Sequence, residues 1–239
     1  MTKTYCFVGD ILGFKNIIKN SKDDERDKRV TDWIKIIEDS SPSYNLDHIE
    51  FISDTVFIGA ENTIEGLGNL LKYSKYLMET ALENYYPIQG AIGYGDISWG
   101  GEITYGEPIS DAYTHSQNQN WIGTSVLPNT PYIDHFYDFD LLVSYPTPLK
   151  TGFVRPNPCV CWDIPPFGNL TKKLTGGRLM KNGDHVNWNI MNKIQNTILF
   201  SDYLKIIKNI ENEADPSKLN SFSPLQLIER FIDQKMSEI

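Results

Sequence analysis

Two acids stand in settings where carboxylates do chemistry. Asp10 closes the apolar run Tyr5-Cys-Phe-Val-Gly9, and Gly13 follows before Phe14 and Lys15 open a helical pattern. Carboxylate oxygens are hard ligands suited to divalent cations, and a turn into a helix start offers backbone N–H groups to a phosphate. Asp54 has a similar place in Phe51-Ile-Ser-Asp54-Thr-Val-Phe-Ile-Gly59, between two short β-rich runs. If these runs lie beside the first strand in one sheet, both acids can share metal ions. Aspartate also favours turns and helix caps, so spacing alone leaves both readings open.

The elements that must position these acids read in order. Tyr5 to Val8 is a strand. The charge run from Ser21 to Arg29 reads as a solvated helix face or loop, and Val30, Trp33, Ile34, Ile36 and Ile37 then keep helical spacing. Ser40 to Asn45 is a break. His48 to Ser53 and Thr55 to Ala60 read as two strands meeting around Asp54. Thr63 to Tyr86 is the clearest helix, with Ile64, Leu67, Leu70, Leu71, Tyr73, Leu77 and Leu82 on one broad face. Pro87 to Gly95 is a glycine-rich strand, where a missing side chain permits close approach of a neighbour or ligand. A hairpin is expected from Ile97 to Tyr105 through Gly100-Gly101, then a helix from Gly106 with Pro108 in its first turn. The order is β-α-β-β-α-β, the split ferredoxin-like motif, and the expected class is α+β. Asp138 to Ser144 and Cys159 to Trp162 read as later strands. Pro165 to Gly177 reads as loop, and Ile190 to Ile210 and Pro224 to Met236 as helices. Residues 1–130 form the core and residues 131–239 an extension packed on it, in one continuous domain.

Composition narrows the class. The chain has 239 residues, 40% hydrophobic and 22% charged, enough for a sizeable core. A net charge of -9 argues against broad contact with a nucleic-acid backbone, though a metal-neutralised triphosphate remains open. No apolar run is long enough for a membrane span, and the N-terminus enters a strand directly rather than reading as a signal peptide. Cys6, Cys159 and Cys161 make no disulfide framework, so reduced thiols and a cytoplasmic protein are expected. Cys159-Val-Cys161 with His135 or His185 fits no common zinc spacing. No Walker-type phosphate loop and no G-x-S-x-G elbow is present.

Asp10-Ile-Leu-Gly13-Phe14 followed by Ser53-Asp54 resembles the class III nucleotidyl cyclases, and within them the pyrimidine cyclases of the bacterial Pycsar anti-phage systems. The resemblance spans residues 4–126 and continues weakly through Tyr145–Lys150 to Asn196-Thr197. It implies a βαββαβ cyclase core with additional C-terminal strands and helices, working as a homodimer with composite sites. It also implies two divalent ions, Mg²⁺ or Mn²⁺, held by Asp10, Asp54 and the carbonyl of Ile11. The N–H groups of Leu12, Gly13 and Phe14 would face the phosphates. The base-reading position falls on Glu50, an acceptor when ionised. Its counterpart falls on Ile103, which cannot hydrogen-bond, and Tyr44 is an aromatic placed to stack on a base. The implied activity is cyclisation of a pyrimidine nucleoside triphosphate, UTP ahead of CTP, to a messenger that activates a separate effector. Guanylate or adenylate cyclase, and a catalytically degenerate nucleotide-binding or interaction protein, are the alternatives. Two departures matter. Ser110 and Thr114 stand where the family commonly has Asn and Arg, and Gln89 where look-alikes often carry Arg. Lys15, Lys150, Arg178 and Lys181 are candidate replacement cations that the sequence does not rank.

Overall fold

Strand β1, Thr2–Ile11, is the centre of the molecule because its alternate side chains feed two different faces. In this computed structural model, which describes residues 1–15, 22–100, 102–137, 140–153, 156–164, 169 and 188–213, β1 is buried from Thr4 to Val8. Tyr5, Phe7 and Ile11 point into the large core, whereas Cys6 and Val8 belong to a small cluster on the other face.

The partners of β1 follow from the sequence pattern. The hairpin β2 (His48–Ile52) and β3 (Thr55–Glu61) lies on one side, and β4 (Ile88–Ile97) on the other, all antiparallel. Helix α1 (Asp23–Glu38) starts on three acids, which suit the positive end of a helix dipole, and buries Trp33 and Ile37. Helix α2 (Ile64–Glu83) is capped by Thr63, whose Oγ1 accepts from the Gly66 N–H at 2.9 Å. Its apolar face, from Leu67 to Leu82, covers the large-core face of the sheet. The glycines of β4 have a packing reason. The Phe7 ring lies across the Gly9–Gly90 pair, and a Cβ at Gly90 would sit 2.5 Å from it.

Helix α3 (Glu107–Asn118) crosses the other face, with Pro108 in its first turn, and leads to β5 (Thr124–Val126), parallel to β4. Beyond the ferredoxin-like unit the chain adds β6 (Leu142–Tyr145), a small ladder of β7 (Pro148–Leu149) and β8 (Gly152–Phe153), and β9 (Asn157–Val160). Among the described residues the main sheet is seven-stranded in the order β2-β3-β1-β4-β5-β9-β6. Helix α4 (Trp188–Glu213) packs Ile194, Phe200, Tyr203 and Ile207 into the large core, and Phe200 meets the Trp121 ring edge-on at 4.7 Å. The fold is α+β, as the order of elements implies.

Some expectations need correction. The hairpin from Ile97 to Tyr105 contracts to one bridge, Ser98 with Tyr105, because β4 itself runs on to Ile97. Within the helix expected from Ile190 to Ile210, Ile194 is buried in the chain's own core. The loop from Pro165 to Gly177 and the helix from Pro224 to Met236 lie outside the described residues. All three cysteines are buried thiols. Among the described residues no helix is long and apolar enough to cross a membrane, and no group of three or more His, Cys, Asp or Glu gathers as a metal site.

Candidate active site

The alternation of β1 puts Asp10 on the thinly covered face, in register with Gln89 of β4. Gln117, near the end of α3, donates to Asp10 Oδ2 at 3.0 Å, while Oδ1 is buried with no hydrogen-bond partner. Burial is the main reason the Asp10 carboxyl is pushed above the ordinary carboxylate range. The Gln117 bond opposes that push, the charge of Asp54 adds to it, and Lys193 opposes it.

Asp54 is brought here by a tight turn. Ile52 pairs with Thr55, so Ser53 and Asp54 alone make the connection, and Ser53 takes a left-handed φ of 61°. Gly9 pairs with Val56, so this turn lies beside the Asp10-Ile11 end of β1. The two acids and the Ile11 carbonyl therefore share one end of the sheet, and an unpartnered carboxylate oxygen there is the donor that a cation satisfies. Gly13 follows with φ 85°, a conformation that favours glycine, and Phe14 is anchored in the large core. The Leu12 N–H donates to the Pro87 carbonyl at 2.8 Å. Leu12 is thus occupied by the backbone, and of the three expected phosphate donors Gly13 and Phe14 remain.

Glu50 lies on the same face of β2 as His48. Its Oε1 accepts from Thr104 Oγ1 at 2.7 Å, and Thr104 Oγ1 accepts from the Gly100 N–H at 3.3 Å. The side chain opposite Glu50 is thus Thr104, whereas Ile103 is 70% exposed. The segment carrying Thr104 is pinned by Trp99, which stacks on His48 at 4.9 Å and donates to Thr4 Oγ1 at 3.0 Å. Tyr44 does not join this pocket. It packs on Tyr73 and Tyr76 of α2, at 5.3 and 5.8 Å, on the opposite face of the sheet. Ser110 and Thr114 are exposed on α3.

Three residues escaped the sequence. Thr104 stands next to Ile103, the residue expected opposite Glu50, and it is Thr104 that makes the contact. Gln117 is signalled only by its spacing from Thr114, three positions along the same helix face. Lys193 is the only lysine within the apolar-periodic stretch Ile190–Ile198 of α4. Its ammonium donates to Gln89 Oε1 and, at 3.0 Å, to the Gln119 carbonyl. Burial, then the charge of Lys150, lower its pKa to about 8, and Asp10 opposes that fall. Arg178 and Lys181 lie outside the described residues.

No protein-family model and no curated protein matches the sequence. The architecture, by contrast, is that of nucleotidyl cyclase catalytic domains. The guanylate cyclase domain of RhGC from Catenaria anguillulae, solved with GTP, superposes with a TM-score of 0.52 at 9% identity, over 67% of this chain and 97% of that one. The catalytic core of a rhodopsin-guanylyl cyclase of converted specificity, solved with ATPαS, gives 0.54 at 9% identity, over 67% and 96%. A monomeric guanylyl cyclase domain of RhoGC from Blastocladiella emersonii gives 0.53 at 12% identity, over 66% and 94%.

Proposed function

We propose that the protein is a nucleotidyl cyclase, closing a nucleoside triphosphate to its 3′,5′-cyclic monophosphate and releasing pyrophosphate. The observation that carries this reading is the pair Asp10 and Asp54 at one end of the sheet, with Asp10 Oδ1 buried and unpartnered. Asp10, Asp54 and the Ile11 carbonyl would hold two divalent ions, Mg²⁺ or Mn²⁺. Such ions lower the pKa of a hydroxyl and neutralise a triphosphate. The chain's own residues orient the parts. Gln117 fixes Asp10, the Ser53-Asp54 turn aims Asp54, and the N–H groups of Gly13 and Phe14 approach the phosphates.

The base is assigned to a pyrimidine, UTP ahead of CTP. The D-I-L-G-F and S-D segments support this, and so does the state of Glu50. Thr104 engages Oε1, which leaves Oε2 as the oxygen for a base. One acceptor suits the single N3–H of uracil, whereas guanine presents two adjacent donors that call on both oxygens. A guanylate reading is favoured only insofar as Glu50 accepts from either base. The cyclic product would serve as a messenger for a separate effector in anti-phage defence. The three buried cysteine thiols support a reducing, cytoplasmic setting.

Incubation with each of the four NTPs and Mn²⁺, followed by product analysis, tests the reading. Cyclic UMP as the main product is expected. Dominant cyclic GMP overturns the base assignment, and no product from any NTP leaves a cyclase-fold nucleotide-binding or interaction protein. The active form is a homodimer, with contacts to one nucleotide drawn from both chains across the thinly covered face. Trp99 is half-buried there, and Ile103, Tyr105 and Tyr113 are exposed. Sedimentation at micromolar concentration should give a dimer, and activity should fall faster than protein concentration on dilution. A monomer with activity linear in concentration counts against composite sites.

A further inference from the structure

Helix α4 is docked onto the chain that links α3 to β5 by three polar residues spanning one turn. Lys193 donates to the Gln119 carbonyl at 3.0 Å, Asn196 Nδ2 donates to the Asn120 carbonyl at 2.7 Å, and Thr197 Oγ1 accepts from the Ile122 N–H at 2.9 Å. Around Lys193 the network closes on itself. Gln89 Nε2 also reaches the Gln119 carbonyl, the Gln119 side chain donates to the Gly90 carbonyl at 2.8 Å, and Trp121 Nε1 donates to Gln119 Oε1. Every contact that Lys193 makes here is to a neutral acceptor, a role that a glutamine could fill without bringing a charge out of water.

The charge itself is therefore the feature to explain. Among the described residues no carboxylate makes an ion pair with Lys193. The charged groups that act on it are Lys150, which repels it, and Asp10, which attracts it across the end of the sheet. Partial burial of an ammonium without a contacting anion is costly. Two of its three N–H groups are used by Gln89 and Gln119, and a third remains among the described contacts. The side chain is half-buried rather than sealed in the core, and Gln89, which it contacts, is in register with Asp10 at the end of β1.

We propose that Lys193 is the resident cation of this site and binds an oxygen of a phosphate chain, supplied by α4 rather than by α3. The ligand class rests on the cyclase reading, but the binding event does not require turnover. Lys193 acts by direct contact, holding the phosphate chain against the Gly13 turn, while Gln89 and the Gln119 carbonyl fix the direction of its ammonium.

The test is calorimetric binding of inorganic triphosphate to the full chain in EDTA, without metal. The wild type binds at low millimolar concentration or below. Lys193→Arg keeps affinity within a few-fold. Lys193→Gln, which removes the charge and keeps an amide donor, weakens binding about tenfold or more, the worth of one charge-assisted hydrogen bond. Equal binding by a folded Lys193→Gln variant overturns the proposal, as does absence of binding by the wild type. Should that variant not fold, the wild type decides alone. The Lys193 Nζ resonance must shift on addition of triphosphate, and an unmoved resonance overturns the assignment. A wild type that binds triphosphate through Lys193 yet forms no cyclic product overturns the cyclase reading and leaves this one standing. Cyclic product from a protein whose Lys193→Gln variant binds triphosphate normally does the reverse.

Discussion

Asp10→Ala and Asp54→Ala should each lower cyclisation by about three orders of magnitude or more, the scale of losing several kcal/mol of metal-supplied charge stabilisation. Neither change should unfold the chain. Asp54 is half-buried in a two-residue turn outside the core, and Asp10 contributes a single side-chain bond, from Gln117. For Asp10 the stability effect even has the opposite sign from the activity effect. Its folded pKa is raised by burial and by Asp54, so the folded chain binds that proton more tightly than the unfolded chain does. Above the unfolded pKa the ionised form therefore works against folding, and stability is regained as pH falls through the folded pKa. Asp10→Asn removes the charge and keeps the shape, so the metal-free variant should melt higher than the metal-free wild type at neutral pH. Added Mn²⁺ should raise the melting temperature of the wild type by mass action and leave Asp10→Asn nearly unmoved. Thermal melts with and without Mn²⁺, alongside product formation, check all three. Wild-type activity in either alanine variant would sink the two-acid site.

Asp10 was legible because a charge at the end of an apolar strand breaks a pattern, and Asp54 because two β-rich runs leave only Ser53 and Asp54 to connect them. The same periodicity gave the helix from Thr63, whose apolar positions from Leu67 to Leu82 face the core, whereas Ile64, expected on that face, is exposed in the first turn. What the sequence hid was decided by faces and distant partners. Tyr44 is close to Glu50 in sequence but lies across the sheet, since the 3₁₀ turn that carries it packs on α2. Ile103 and Thr104 differ by one position, and in extended chain one position exchanges one face for the other. Leu12 offered an N–H on paper, but the neighbouring Pro87 carbonyl takes it. Lys193 is remote in sequence from every other site residue, and only the docking of α4 brings its charge to Asp10.

Thr104→Val should shift base preference from UTP toward GTP, and Glu50→Gln should lower UTP use without changing metal dependence. Both follow from how the carboxylate is shared. Thr104 donates to Oε1 at 2.7 Å, and that oxygen is the one a guanine would need as its second acceptor. Valine keeps the shape of threonine and removes the hydroxyl, so both oxygens of Glu50 then face the pocket. Guanine can place its N1–H and N2–H on the pair, a two-bond contact that uracil cannot match. Loss of the hydroxyl also frees the Gly100 N–H, but that group is exposed and finds water. The GTP-to-UTP ratio of kcat/KM should therefore rise about tenfold or more, one charge-assisted bond's worth. Glu50→Gln replaces an acceptor pair with one acceptor and one amide donor. Its acceptor is held by Thr104, and its N–H groups face the N3–H of uracil donor to donor. UTP turnover should fall about ten- to a hundredfold, while the Mn²⁺ concentration for half-maximal rate stays put, because Glu50 holds no ion. Competition assays with mixed UTP and GTP, read as the ratio of cyclic products, measure both variants on one scale. A Thr104→Val ratio equal to that of the wild type would show that Oε1 is not the oxygen that excludes guanine. An unchanged ratio in Glu50→Gln would remove Glu50 from the base pocket altogether.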